Sequence, residues 1–187
     1  LFMEKELSIR LAVPDDAPAL LAIYAPYVTG TAISFETKVP EISEFEQRIA
    51  STLTRYPYLV AEENDQIIGY AYASALSPRQ AYDWSVETTV YLKQNVTGRG
   101  IGTALYHELF SLLGFQHFTR AFACIADTNT ASVRFHESLG FSKVGCFSKC
   151  GYKNGTWLDV VWLEKDLCPS RKIPEPLLPL DSTQGAL

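Results

Sequence analysis

The chain has 187 residues, 47% of them hydrophobic and 20% charged, with a formal net charge of −5. That balance fits one globular domain with a sizeable core, and it excludes collagen-like, disordered and membrane-spanning polypeptides. A net acidic chain also argues against general nucleic-acid binding, which rewards clustered lysine and arginine, so any polyphosphate ligand must be captured locally.

In chain order, apolar–polar alternation predicts a strand over 7–13, after which Pro14, Asp15 and Asp16 open a helix carrying Leu20, Leu21, Ile23 and Tyr24. Ser43 and Glu46 have the spacing of a capping box, with Ile42, Phe45, Ile49 and Leu53 recurring at helical intervals. Residues 58–63 and 66–75 read as strands around a hairpin at Asn64-Asp65, and 84–92 as a further strand. A helix from Gly100 bears Ile101, Leu105, Leu109 and Leu112 on one stripe. It is followed by a strand over 119–126 and a helix over 129–139 with Gly140 as its left-handed cap. Strands over 141–149 and 157–164 flank the turn Lys153-Asn154-Gly155. Trp84 and Trp157 are expected in the core.

The chain thus divides into an extension over 1–6, one domain over 7–167 and a proline-rich tail over 168–187, whose Ile173, Leu177, Leu178 and Leu180 suggest that it docks. The element order predicts an α/β fold with a central sheet that mixes antiparallel and parallel strands. Cys124, Cys146, Cys150 and Cys168 form no CxxC pair, and His107, His117 and His136 are scattered, so no metal is expected. With no signal peptide before the first strand, reduced thiols in a cytoplasmic protein are the expectation.

The run Thr97-Gly98-Arg99-Gly100-Ile101-Gly102 leaves a strand and opens a helix. Glycines at alternate positions let successive N–H groups point into one concavity, and the helix adds its own unpaired donors and positive dipole end. That is a pyrophosphate cradle. No lysine follows Gly102, which excludes a Walker loop, and the glycine spacing is one residue too tight for a dinucleotide fingerprint.

These residues resemble the GCN5-related N-acetyltransferases, and within them the phosphinothricin acetyltransferase branch. The family's pyrophosphate motif falls on the glycine run, and its later Asn-x-x-Ala pattern on Asn129 to Phe141. The branch is marked by Ala81-Tyr82-Asp83-Trp84-Ser85-Val86-Glu87-Thr88-Thr89-Val90-Tyr91, by His136-Glu137 and by Gly155-x-Trp157-x-Asp159. Two positions depart from the pattern. Thr97 stands where the motif usually has Gln or Arg, and Ser77 replaces the first of two loop cations, leaving Arg79.

The resemblance implies a fold whose parallel strand pair is splayed at an acetyl-CoA site. The coenzyme would be held by Val90, Leu92, Thr97, Gly98, Arg99, Gly100, Ile101, Gly102, Thr103, Asn129 and Ser132. It implies Glu87 as the base that deprotonates the amine, on the strand face shared by Ser85, Thr89 and Tyr91. His136 would protonate the departing thiolate or assist Glu87. Phe35, Arg79, Tyr82, Thr89 and Tyr91 would bind the acceptor. The expected activity is acetylation of the α-amino group of a small amino-acid-like compound, of the phosphinothricin, methionine sulfoximine or methionine sulfone type. Transfer would be direct in a ternary complex of a homodimeric enzyme. A broader L-amino acid or polyamine N-acyltransferase and a non-catalytic acetyl-CoA-binding module stand as alternatives.

Overall fold

A computed structural model describes residues 7–168 and 173–183 of the chain; the extension expected over 1–6 and Pro169 of the tail lie outside them. The strands are β1 (Leu7–Leu11), β2 (Tyr58–Glu63), β3 (Gln66–Ala75), β4 (Ser85–Leu92), β5 (Arg120–Ala126), β6 (Ser142–Lys153) and β7 (Thr156–Asp166). The helices are α1 (Ala17–Gly30), α2 (Ile42–Leu53), α3 (Ile101–Phe115) and α4 (Thr130–Ser138). One sheet has the order β1-β2-β3-β4-β5-β7-β6, antiparallel throughout except for the β4–β5 pair. The α/β class and the mixed sheet are therefore as the sequence implies.

Period-2 alternation divides the strands between two cores. On one face Tyr58, Val60 and Tyr70 pack with Leu20, Tyr24 and Val28 of α1 and with Phe45 and Ile49 of α2. On the other, Ala71, Ala73 and Val86 meet Leu105, Leu109 and Leu112, the stripe read from the sequence of α3. Both hairpins form where expected, with Asn64 and Asp65 at φ 51° and 59°, and Asn154 and Gly155 at φ 53° and 76°.

Three expectations need correction. The capping box at Ser43 does not form: Glu41 is the N-cap, with extended backbone and no side-chain cap bond. The helix starts one residue ahead of Ser43, because the Phe45 amide already reaches the Glu41 carbonyl at 3.0 Å. Neither tryptophan is core: Trp84 is half-buried, and Trp157 is 58% exposed. It lies on the outward side of β7, against Tyr152, while its neighbour Leu158 points inward. Strand β6 also runs beyond residue 149. A bulge between Phe147 and Gly151, with Lys149 at φ 50° and its amide bonded to Asp159 Oδ1 at 2.7 Å, lets pairing resume.

The β4–β5 pairing is short. Only Ser85, Val86 and Glu87 find partners, in Arg120, Ala121 and Phe122. Beyond Glu87 the two strands diverge. At the closed end of this V the tail crosses the molecule. Trp84 Nε1 donates to the Glu175 carbonyl at 2.7 Å, Gln116 exchanges hydrogen bonds with the Leu178 backbone, and Leu180 is buried.

Candidate active site

The open end of the V leads into a cleft of about 630 Å³ floored by Val90, Leu92 and the start of α3. Gly98 and Gly100 have φ of +77° and +80°, a backbone region closed to most side chains, and this turns the loop sharply into the helix. The first N–H groups of α3 therefore face the cleft without intrahelical partners. Gly102 serves a different purpose. A Cβ there would come within 3.2 Å of the Phe135 ring, so its absence lets α3 and α4 approach. Thr97, Thr103, Asn129 and Ser132 also line the cleft, as does Ile101, whose side chain is otherwise buried. Asn129 caps α4 as well, its Oδ1 accepting from the Ser132 amide at 3.2 Å. The Leu92 carbonyl accepts from the Tyr27 hydroxyl at 2.6 Å.

Arg99 turns elsewhere. Its guanidinium pairs with Glu63 at the end of β2, outside the lining of the cleft. Glu63 is only 8% exposed, and a carboxylate so deeply placed requires a cation. What Arg99 offers the cleft is thus its place in the loop backbone rather than its charge.

A smaller cavity of about 70 Å³ lies between the diverging strands, bounded by Thr88, Thr89, Tyr106, Cys124 and His136. His136 is buried, and both ring nitrogens are engaged. Nδ1 lies 2.8 Å from the Ser132 carbonyl, which can only accept, so Nδ1 carries the proton. Nε2 then accepts from the Tyr106 hydroxyl at 3.0 Å. Burial lowers the His136 pKa, partly offset by the Ser132 carbonyl, and the ring is neutral at pH 7. Tyr106 and His136 thus both bound the cavity, linked by this bond.

Glu87 stands at the last bridged pair of the V, beside Ser74 of β3. Burial alone raises its pKa, so its carboxylate is a stronger base than an exposed one. Glu87 itself is in the lining of none of the three cavities described; Cys124, which no sequence motif singled out, lines the one between the strands. Burial, then the nearby charges of Glu87 and Cys150, push its thiol up to about 12, so it is protonated and a poor nucleophile. Its exposure to the cavity follows from the register of β5, which no local pattern reveals.

Of the expected acceptor residues, Thr89 and Tyr91 line these cavities; Phe35, Arg79 and Tyr82 do not. The Phe35 ring lies on Gly151 of β6, where any Cβ would collide with it. Arg79 heads a short turn over Gln80–Tyr82 and is exposed, as is Tyr82. A third cavity of about 530 Å³ lies under α2, and Tyr91 lines it too. Among the described residues no cluster of His, Cys, Asp or Glu could hold a metal ion, and no helix is long and apolar enough to cross a membrane.

Comparison with known proteins places this geometry in context. A family model described as an acetyltransferase (GNAT) domain matches residues 9–162. A phosphinothricin N-acetyltransferase of Alcaligenes faecalis is 38% identical over 163 residues, 86% of this chain and 82% of that one. An L-methionine sulfoximine/L-methionine sulfone acetyltransferase of Pseudomonas aeruginosa is 35% identical over 173 residues, 89% of this chain and 98% of that one. Among solved structures, a phosphinothricin acetyltransferase from Sinorhizobium meliloti, in complex with AcCoA, aligns with a TM-score of 0.86 at 33% identity. It covers 90% of this chain and 93% of its own.

Proposed function

The chain belongs to the GNAT acetyltransferases, and on that premise we propose that it transfers an acetyl group from acetyl-CoA to the α-amino group of a small amino-acid-like compound. Phosphinothricin, methionine sulfoximine and methionine sulfone are the model acceptors. The observation that carries the reading is the V between β4 and β5, because it joins a cradle of backbone donors to a desolvated carboxylate.

The cradle suits a pyrophosphate. Glycines at positive φ and an open helix N-terminus face a cleft of about 630 Å³, so backbone donors rather than the engaged Arg99 would meet the phosphates. Acetyl-CoA bound there supplies the acyl thioester. In this reading Gly98, Gly100, Gly102 and Thr103 hold the phosphates, and Val90 and Leu92 offer main-chain groups along the edge that β4 exposes by leaving β5.

Glu87 receives a proton from the acceptor ammonium, freeing the nitrogen lone pair for attack. Its raised pKa moves it toward the amine's own and makes that transfer less uphill. Ser85 and Thr89 flank it on the same face of β4 and help orient the amine. His136 and Tyr106 share the wall of the cavity between the strands, joined through the Tyr106 hydroxyl and His136 Nε2, and the pair is placed to relay a proton to the departing thiolate. The protonated Cys124 fits direct transfer within a ternary complex and not an acyl-enzyme. A broader L-amino acid acceptor range is the second reading, favoured by Ser77 and by the outward position of Arg79.

The test is thiol release from acetyl-CoA with methionine sulfone, phosphinothricin, neutral L-amino acids and spermidine in parallel. Saturable turnover of α-amino acids is expected. Turnover of spermidine alone, or of no amine, would overturn the reading.

A further inference from the structure

The loop that turns from β4 into α3 is pinned at its two roots and bare between them. Val96 and Ile101 are buried in the core against α3. Thr97, Gly98, Arg99 and Gly100, which join them, are exposed. A Cβ built on Gly98 or Gly100 would meet nothing within 4 Å, so among the described residues no neighbour packs against the turn there. Glycine also loses more backbone freedom on ordering than any other residue, which makes this stretch costly to hold in one shape. Thr97 adds only a local bond, from its Oγ1 to the Gln94 carbonyl at 3.4 Å.

Arg99 is the exception. Its guanidinium meets the Glu63 carboxylate fork to fork, Nη2 on Oε1 and Nη1 3.4 Å from Oε2. Glu63 is a fixed anchor, buried at the end of β2 and paired on both sides, with Leu7 of β1 and Gln66 of β3. Side-chain alternation explains why the two meet. Leu59, Ala61 and Glu63 share one face of β2, and Leu59 and Ala61 pack in the core that α3 covers. Glu63 therefore emerges on the α3 side of the sheet, within reach of the loop that opens the helix.

The fork closes in a hollow that Lys93 and Asn95 also line, apart from the cofactor cleft. Gly98 and Gly100, on either side of Arg99, both line the cleft itself. The loop thus sends two glycine backbones toward the ligand and the side chain between them toward β2. Fixing Arg99 fixes both glycines and the direction of their amides.

We propose that Glu63 is a positioning residue for acetyl-CoA: through Arg99 it holds the glycine turn in the shape that receives the pyrophosphate before the coenzyme arrives. The inference rests on the cradle reading given above. Glu63 carries the wrong charge to hold a phosphate, and its contribution is the order it imposes on the loop. A loop ordered beforehand need not be ordered by the ligand, and the difference appears as affinity.

Electrostatics alone predicts the opposite sign. The phosphates are anions, so neutralising Glu63 removes a repulsive charge and frees a guanidinium beside them. If the fork only drew Arg99 away from the ligand, its loss would tighten binding. If it orders the cradle, its loss weakens binding.

Glu63→Gln keeps size and shape and decides between them. In the free protein, limited trypsin digestion with mass spectrometry reads cleavage after Arg99, whose guanidinium must leave the fork to enter the protease. Cleavage there should be several-fold faster in the variant while other sites keep their wild-type rates, whereas a general loss of stability would raise every site together. Titration calorimetry with coenzyme A should show Kd raised about tenfold, the factor for a loop in its binding shape about one tenth of the time. In turnover the loss should fall on the KM for acetyl-CoA rather than on kcat. Arg99→Lys, which keeps the charge and loses the fork, should give an intermediate Kd. Unchanged or tighter coenzyme A binding in Glu63→Gln overturns the positioning role, and so does an unchanged cleavage rate at Arg99. No heat from the wild type would sink the cradle reading and this inference with it.

Discussion

The cleft at the open end of the V and the cavity under α2 are built from different materials. The glycine-loop end is made of backbone, with turns at Gly98 and Gly100 and the first amides of α3. The cavity under α2 is made of side chains, brought by α1, α2 and three strands to a face that none of them defines alone. Backbone donors are insensitive to which residue bears them, provided the φ angles are allowed. A wall of tyrosines depends on every register between β2, β3 and β4. The first region can keep its shape through sequence change around its glycines; the second is reshaped by single substitutions.

Three substitutions sharpen this contrast. The largest effect is expected from Glu87→Gln, which keeps the shape and removes the base. Turnover at pH 7 should fall by about 100-fold to 1,000-fold, while cofactor binding measured by calorimetry stays as it was. A loss of cofactor affinity in that variant would break the separation of cofactor binding from the base. Gly100→Ala comes next. At φ +80° an alanine costs about 1–2 kcal/mol, so the loop must relax and cofactor binding should weaken by roughly tenfold, with turnover at saturation little altered.

The smallest effect concerns His136, in the cavity between the strands. Its pKa is lowered by burial, so the folded state binds its proton less readily than the unfolded chain. The stability tied to the neutral ring is present above the unfolded value, about 6.5, and is lost as pH falls toward the folded one. Chemical denaturation between pH 7 and 5 should show a slope of at most about 1.4 kcal/mol per pH unit from this residue, and His136→Gln should flatten it. An unchanged slope would mean that other groups govern acid stability.

Backbone features were the legible ones. The glycine run, the hairpins at Asn64-Asp65 and Asn154-Gly155, the apolar stripe of α3 and the cap at Asn129 are all local patterns, and each is where its sequence implies. Contacts between distant residues were not legible. Nothing near Arg99 announces that Glu63, thirty-six positions earlier, will take its charge. Cys124 carries no motif, and its place opposite Glu87 follows from β5 pairing with β4 for only three residues. His136 stood out by type and position, but that Tyr106 would occupy its Nε2 depends on how α3 and α4 pack. The tyrosines of the third cavity read as ordinary strand aromatics until three strands align them.

The tail crossing has a consequence in time. Its contacts join residues far apart along the chain, Trp84 to Glu175 and Gln116 to Leu178. On a ribosome, β4 and α3 are both made well before the segment that straps them together at the shut end of the V. Such distant contacts close late, because the loop they bridge costs more entropy to order than any hairpin. The nascent domain can therefore pair its strands before the crossing segment is fastened over Trp84 and Gln116.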